Sequence, residues 1–137
     1  MKPDVRVYIR GVRDAFGEEE ATEFSGPGVY RFMGETHVIH YEANGEKVLF
    51  KIRPGYYEQT KKVNGVTQKF VFEEGRHYET DYITPVGKMR VAFDTEKVQI
   101  LEMPGEIDVR LVYQLFLDGA LISRCEVITS ITALGDA

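Results

Sequence analysis

Apolar and polar residues alternate with a period of two along most of this chain. Val5, Val7 and Ile9 are interleaved with Arg6, Tyr8 and Arg10, the pattern of a strand with one buried face. Short runs of the same kind follow at residues 29–33, 36–42, 47–53, 56–63, 66–73, 76–84, 88–93, 97–103, 107–117 and 120–131. None of them keeps helical periodicity for a dozen residues. Between the runs stand Gly45, Gly55, Gly65, Gly75, Gly87, Gly105 and Gly119, in neighbourhoods such as Asn44-Gly45, Pro54-Gly55 and Asp118-Gly119. Glycine reaches positive φ without steric cost, and Asn-Gly or Asp-Gly suits the primed turns that match strand twist. The longest gap, between Gly87 and Gly105, is broken by the polar stretch 94–97. Turns at this rhythm predict one all-β domain over residues 1–137, an antiparallel, mostly up-and-down β-barrel of about 8–10 strands.

Two segments are read otherwise. Residues 13–20 are polar and predict a loop or one helical turn. Gly26-Pro27-Gly28 predicts a sharp break, because proline in a central strand removes a ladder donor.

Register can be argued at two hairpins. A two-residue loop at Asn64-Gly65 pairs Val63 with Val66, Tyr57 with Phe72 and Gln59 with Phe70. The apolar groups then share a face, and Glu58, Lys62 and Lys69 take the other. At Asp118-Gly119 the same loop would set Leu111 opposite Glu126 and Tyr113 opposite Arg124. A three-residue bulged loop instead pairs Leu115 with Leu121, Leu111 with Cys125 and Val109 with Val127. Burying an unpaired charge costs more than a change of turn type, so the bulged loop is expected. Its outer face then carries Val112, Phe116, Ile122 and Ile128, an apolar patch that needs cover from a second copy or from the chain's own N-terminal segment.

Composition narrows the functional classes. With 137 residues the domain should bury about 68% of its unfolded surface. A net charge of −5 disfavours a general nucleic-acid binder. Lys61, Lys62 and Lys69 are better explained as a solvated strand face. The lone Cys125 cannot form an internal disulfide, and neither a signal peptide nor an apolar membrane span is evident, so a cytoplasmic location is expected. Neither nucleic acid nor membrane is an expected partner.

The segments Phe72-Glu73-Glu74-Gly75-Arg76-His77 and Thr84-Pro85-Val86-Gly87-Lys88-Met89, with Gly28-Val29-Tyr30, Tyr41-Glu42 and Leu117-Asp118-Gly119, carry a resemblance. They resemble the YwiB-like family of uncharacterised bacterial proteins with a calycin-type barrel, and the likeness runs over nearly the whole chain. It implies a closed or nearly closed antiparallel barrel, lipocalin-like in shape. It implies no activity, cofactor or catalytic residue.

The candidate chemistry is sparse. His37 and His40 are three apart on a strand and so point to opposite faces, which defeats chelation of one metal ion. Cys125 lies mid-strand between Ser123 and Val127 and reads as a small hydrophobe. Glu18-Glu19-Glu20 and Glu73-Glu74 read as solvated loops. No catalytic residue, metal or cofactor is therefore assigned, and enzyme activity is not the expectation. Arg6, Arg10, Arg31, Arg53, Arg90, Arg110 and Arg124 all fall within predicted strands. They read as outer ion pairs, with one or two pointing inward to hold a ligand's anion as the competing reading.

The chain has eight phenylalanines and eight tyrosines. Tyr57, Phe70, Phe72, Phe93, Leu111 and Tyr113 are the candidate lumen residues. So many inward rings favour a filled barrel, while ten strands in one wall would leave more room. The leading expectation is a non-enzymatic barrel that takes a small apolar or amphipathic molecule inside, its polar end fixed by a tyrosine hydroxyl or an arginine. The competing expectation is an interaction module, a homodimer formed through the outer patch.

Overall fold

The structure, a computed structural model, describes residues 3–63 and 65–134. Ten antiparallel strands build it: β1 (Asp4–Ala15), β2 (Glu18–Met33), β3 (Thr36–Ala43), β4 (Glu46–Arg53), β5 (Tyr56–Val63), β6 (Val66–Glu73), β7 (His77–Thr84), β8 (Gly87–Met103), β9 (Glu106–Leu117) and β10 (Ala120–Ala133). Each strand pairs with its sequence neighbour except at one place. The sheet runs β6-β5-β4-β3-β2-β1-β10-β9-β8-β7, so the first and last strands are laddered together. The unladdered seam falls in mid-chain, between β6 and β7.

That seam is closed by side chains. Gln68 Nε2 donates to the Asp81 carbonyl at 3.1 Å, and the Tyr78 hydroxyl donates to the Lys69 carbonyl at 3.1 Å. Phe70 stacks on Tyr82 across it, with centroids 6.1 Å apart. The result is a nearly closed barrel. Its upper end carries the turns after β1, β3, β5, β7 and β9, and its lower end carries the turns after β2, β4, β6 and β8 with both chain ends.

The long strands differ from the sequence expectation. Residues 13–20 are neither a loop nor a helical turn: β1 and β2 continue as a hairpin, paired out to Ala15 and Glu18. Its tip is Phe16-Gly17, with φ of 52° and 82°. Gly26-Pro27-Gly28 is not a break either. β2 runs straight through it, with Pro27 opposite Arg6 and Gly28 opposite both Val5 and Tyr41. Gly28 is there because the strands crowd. A Cβ on it would lie 2.8 Å from Val7 Cγ2 and 2.9 Å from the His40 carbonyl oxygen. Residues 94–97 likewise stay in β8, as a bulge in which Thr95 faces Tyr113 and Lys97 faces Val112.

The β5–β6 register is as the alternation demands: Tyr57 opposite Phe72, Gln59 opposite Phe70, Val63 opposite Val66. Asn64 of that turn lies outside the described residues. The β9–β10 hairpin corrects its expectation. Asp118 and Gly119, at φ 48° and 83°, make a two-residue loop with Leu117 opposite Ala120. The compensation comes three residues later, as a bulge between Leu121 and Ser123. Tyr113 therefore faces Cys125, and Leu111 faces Val127 rather than Cys125. Leu121 turns outward and is 52% exposed. A type I′ loop keeps the strand twist, and the extra residue restores the apolar face just after it.

Inside, Tyr41, Phe50, Tyr57, Phe72, Phe93 and Tyr113 form a continuous chain of ring contacts with centroids 4.5–5.9 Å apart. Together with Val5, Val7, Ile39, Ile52, Val109, Leu111 and Ile131, these rings make one core. Such burial contributes about 1.5–3 kcal/mol per large apolar side chain.

Candidate functional site

The barrel is filled in its middle and open at its upper end. There a bowl of about 410 Å³ is bounded by Ile9, Phe24, Tyr41, Phe50, Tyr57, Phe72, Leu111, Tyr113 and Val127, with Thr22, Asn44 and Gln59 among its polar lining. Strand alternation places these groups. On β1 the odd-numbered residues point inward, on β3 Ile39 and Tyr41, and on β9 Val109, Leu111 and Tyr113. A neighbouring cleft of about 260 Å³ continues over Arg13, Leu115 and Cys125, sharing Gly11, Thr22, Tyr113 and Val127 with the bowl.

All six candidate lumen residues lie in or against the core. Tyr57, Phe72, Phe93 and Leu111 are buried, and Phe70 and Tyr113 are half-buried. Of these, Tyr57, Phe72, Leu111 and Tyr113 also reach the bowl, whereas Phe70 and Phe93 pack toward the seam. Phe24, Tyr41 and Phe50 line the same wall but were not among the candidates. Their inward phase follows from the β2–β3 and β3–β4 registers, Gly28 opposite Tyr41 and Tyr41 opposite Val48, and the expected break at Gly26-Pro27-Gly28 hid it.

Three hydroxyls in the bowl wall are held neutral. Burial pushes the Tyr41 hydroxyl up to about 12. Burial raises Tyr57 further, against the opposing effect of its 3.0 Å bond with Thr129 Oγ1. Tyr113 is raised by burial first and by the neighbouring Cys125 second. All three are therefore hydrogen-bonding phenols rather than charges. Among the described residues no arginine or lysine lines the bowl. Arg13, over the adjoining cleft, is bonded to Glu20 at 2.5 Å.

Four of the other strand arginines form outer ion pairs. Arg110 pairs with Glu126 at 3.1 Å, Arg124 with Glu96 at 2.9 Å, Arg10 with Glu23 at 3.8 Å, and Arg90 with Glu79 at 2.7 Å and Asp81 at 3.4 Å. Arg53 instead lies over the Tyr56 ring, 3.9 Å from its centroid. Val112 sits between Lys97 and Glu126 and is fully buried. Phe116, Ile122 and Ile128, the rest of the candidate interface, are half-buried, with the Phe116 ring 6.4 Å from that of His77.

One polar constellation had no signal in the chain's linear order. At the lower end His37 points inward while His40 points out, as their spacing requires. His37 Nδ1 lies 2.7 Å from the Tyr30 hydroxyl and Nε2 lies 2.6 Å from Glu102 Oε1. A cleft of about 350 Å³ adjoins them, bounded also by Pro3, Arg31 and Phe32. Burial, and then the charge of Glu102, raise the Tyr30 hydroxyl.

Among the described residues no helix is long and apolar enough to cross a membrane. No curated protein matches the chain. A crystal structure, that of the ywiB protein from Bacillus subtilis, superposes with a TM-score of 0.83 over 97% of this chain and 93% of the other, at 15% sequence identity. That likeness bears on the fold alone, and it agrees with the barrel described above. At the level of sequence, a model of a domain of unknown function, DUF1934, matches residues 7–128, a span reaching from inside β1 to β10. The chain, itself a β-barrel, belongs to the DUF1934 family.

Proposed function

We propose that the protein is a non-enzymatic binding module whose upper bowl takes one small amphipathic molecule. The observation that carries this reading is the bowl: about 410 Å³ of space floored by Phe50, Tyr57 and Phe72. Pockets of a few hundred Å³, mostly apolar with a few placed polar groups, suit small-molecule ligands. The apolar part of the ligand lies against the rings, and its polar end meets Thr22, Asn44, Gln59 and the Tyr41 hydroxyl. An arginine clamp, one of the two sequence expectations for the polar end, has no counterpart among the described residues that line this bowl. Self-association through the outer face gains less support, since Val112 is already fully buried within the chain itself.

The chain lacks tryptophan, so 1-anilinonaphthalene-8-sulfonate is a clean reporter. It is expected to bind with a stoichiometry of one per barrel. Ala43, half-buried on the bowl wall, is the place to fill it. Ala43→Trp is expected to weaken dye binding about tenfold or more while the thermal midpoint stays within a few degrees, because most surface or rim substitutions change stability little. Dye binding that is absent, or indifferent to this substitution, overturns the reading.

A further inference from the structure

The lower cleft shares no lining residue with the bowl. His37 is 4% exposed, and both its ring nitrogens are engaged. A carboxylate only accepts hydrogen bonds, so Nε2 carries the proton toward Glu102 and Nδ1 accepts from the Tyr30 hydroxyl. The buried ring is thus a fixed donor aimed at an acceptor in the cleft. Its present acceptor is unusual for so buried a donor. The Glu102 side chain is 63% exposed and reaches across from another wall, 65 residues away in sequence. Glu102 stands near the end of β8, beyond the part that β7 pairs, since that ladder stops at His77 opposite Asp94.

We propose that this cleft binds a small carboxylate with a short apolar body, and that Glu102 occupies the carboxylate's place when the ligand is absent. An incoming carboxylate accepts the His37 Nε2–H bond as Glu102 does now. Arg31, which borders the cleft, contributes a positive charge. The Phe32 ring, 4.9 Å from His37 and 57% exposed, offers an apolar platform. Released, Glu102 turns into solvent, where most of its side chain already lies, so its departure exposes little new polar surface. The His37 donor is never left unpaired, which matters because an unsatisfied buried donor costs about 1–3 kcal/mol. Glu102 is in effect a tethered competitor, and tethering gives such a group an effective concentration on the order of millimolar.

Benzoate and benzamide, equal in shape but different in charge, test this when titrated calorimetrically into the wild type, Glu102→Ala and Glu102→Gln. Signals of the His37 ring are followed in parallel by nitrogen NMR. Removing the competitor raises the fraction of open sites, so Glu102→Ala is expected to bind benzoate about tenfold or more tighter than the wild type. The His37 ring signals should shift on binding, and benzamide should bind none of the three proteins. A folded Glu102→Ala protein that takes no benzoate, or takes both compounds equally, overturns the proposal and leaves the contact a purely structural clasp. Should Glu102→Ala fail to fold, Glu102→Gln carries the comparison, since it keeps only a neutral, weaker acceptor and removes the charge that repels an incoming carboxylate: an affinity for benzoate no higher than that of the wild type overturns the proposal equally.

Discussion

At Gly28 a single hydrogen in place of a side chain lets three strands meet. A methyl group there would press on Val7 Cγ2 and on the His40 carbonyl, at 2.8 and 2.9 Å, and the second of these is backbone that cannot step aside. Gly28→Ala is therefore expected to destabilise the barrel by about 1–3 kcal/mol, the range for overpacking, measured by denaturant unfolding. An unchanged midpoint would mean that the strands are not so close. This glycine also marks where sequence reading stops. Gly-Pro-Gly names a turn by composition, and only the packing of Val7 and Tyr41 on either side makes it a strand. His37 teaches the same lesson. That it and His40 take opposite faces was legible from their spacing, but which of the two turns inward was not; its partner Glu102 comes from β8, and no spacing along the chain announces that meeting. Tyr57, Phe72, Leu111 and Tyr113 were legible because strand phase alone decides whether they face the core.

At the level of elements, the hairpin rhythm was readable because every turn must reverse a strand, and reversal demands particular residues. Bulges were less readable, since they change register without changing composition. In the β9–β10 hairpin the loop was expected to hold the extra residue, whereas Ile122 holds it. Leu121 opposes Phe116 and Ser123 opposes Leu115, so removing Ile122 joins two already matched halves of the ladder. Deletion of Ile122 is therefore expected to preserve the fold at a cost of about 1–2 kcal/mol. Deletion of Val127 shifts part of the strand by one residue, turns its apolar face to solvent and should abolish cooperative unfolding. Thermal melts of the two deletions, followed by circular dichroism, separate these outcomes. Equal damage from both would contradict the bulge.

For the molecule as a whole, the buried phenols couple the barrel to alkaline pH. Tyr41 is raised from 10.0 to about 12, and burial raises Tyr57 and Tyr113 as well. A group that holds its proton more tightly when folded stabilises the fold fully below its unfolded value. It gives that stability up as pH climbs through the folded value. The unfolding free energy is thus expected to fall from about pH 10 upward. Phenolate absorbance from these rings should appear only as the strand signal collapses. Ionisation of all tyrosines near pH 10, with the barrel intact, would show that the rings are wet.

The line where β6 meets β7 gives the wall a preferred place to part. Among the described residues it is held by donors from Gln68 and Tyr78 and by the stacked Phe70 and Tyr82 rings, with Phe93 packed against Phe70 and Phe72, while the joins between neighbouring strands elsewhere are stitched by rows of peptide groups. Thermal breathing should concentrate there, as in a cuff fastened by two buttons, and Phe70 and Phe93 stand directly behind the fastening. A wall that opens anywhere along its girth should therefore open here, by sliding rings apart without unravelling a strand.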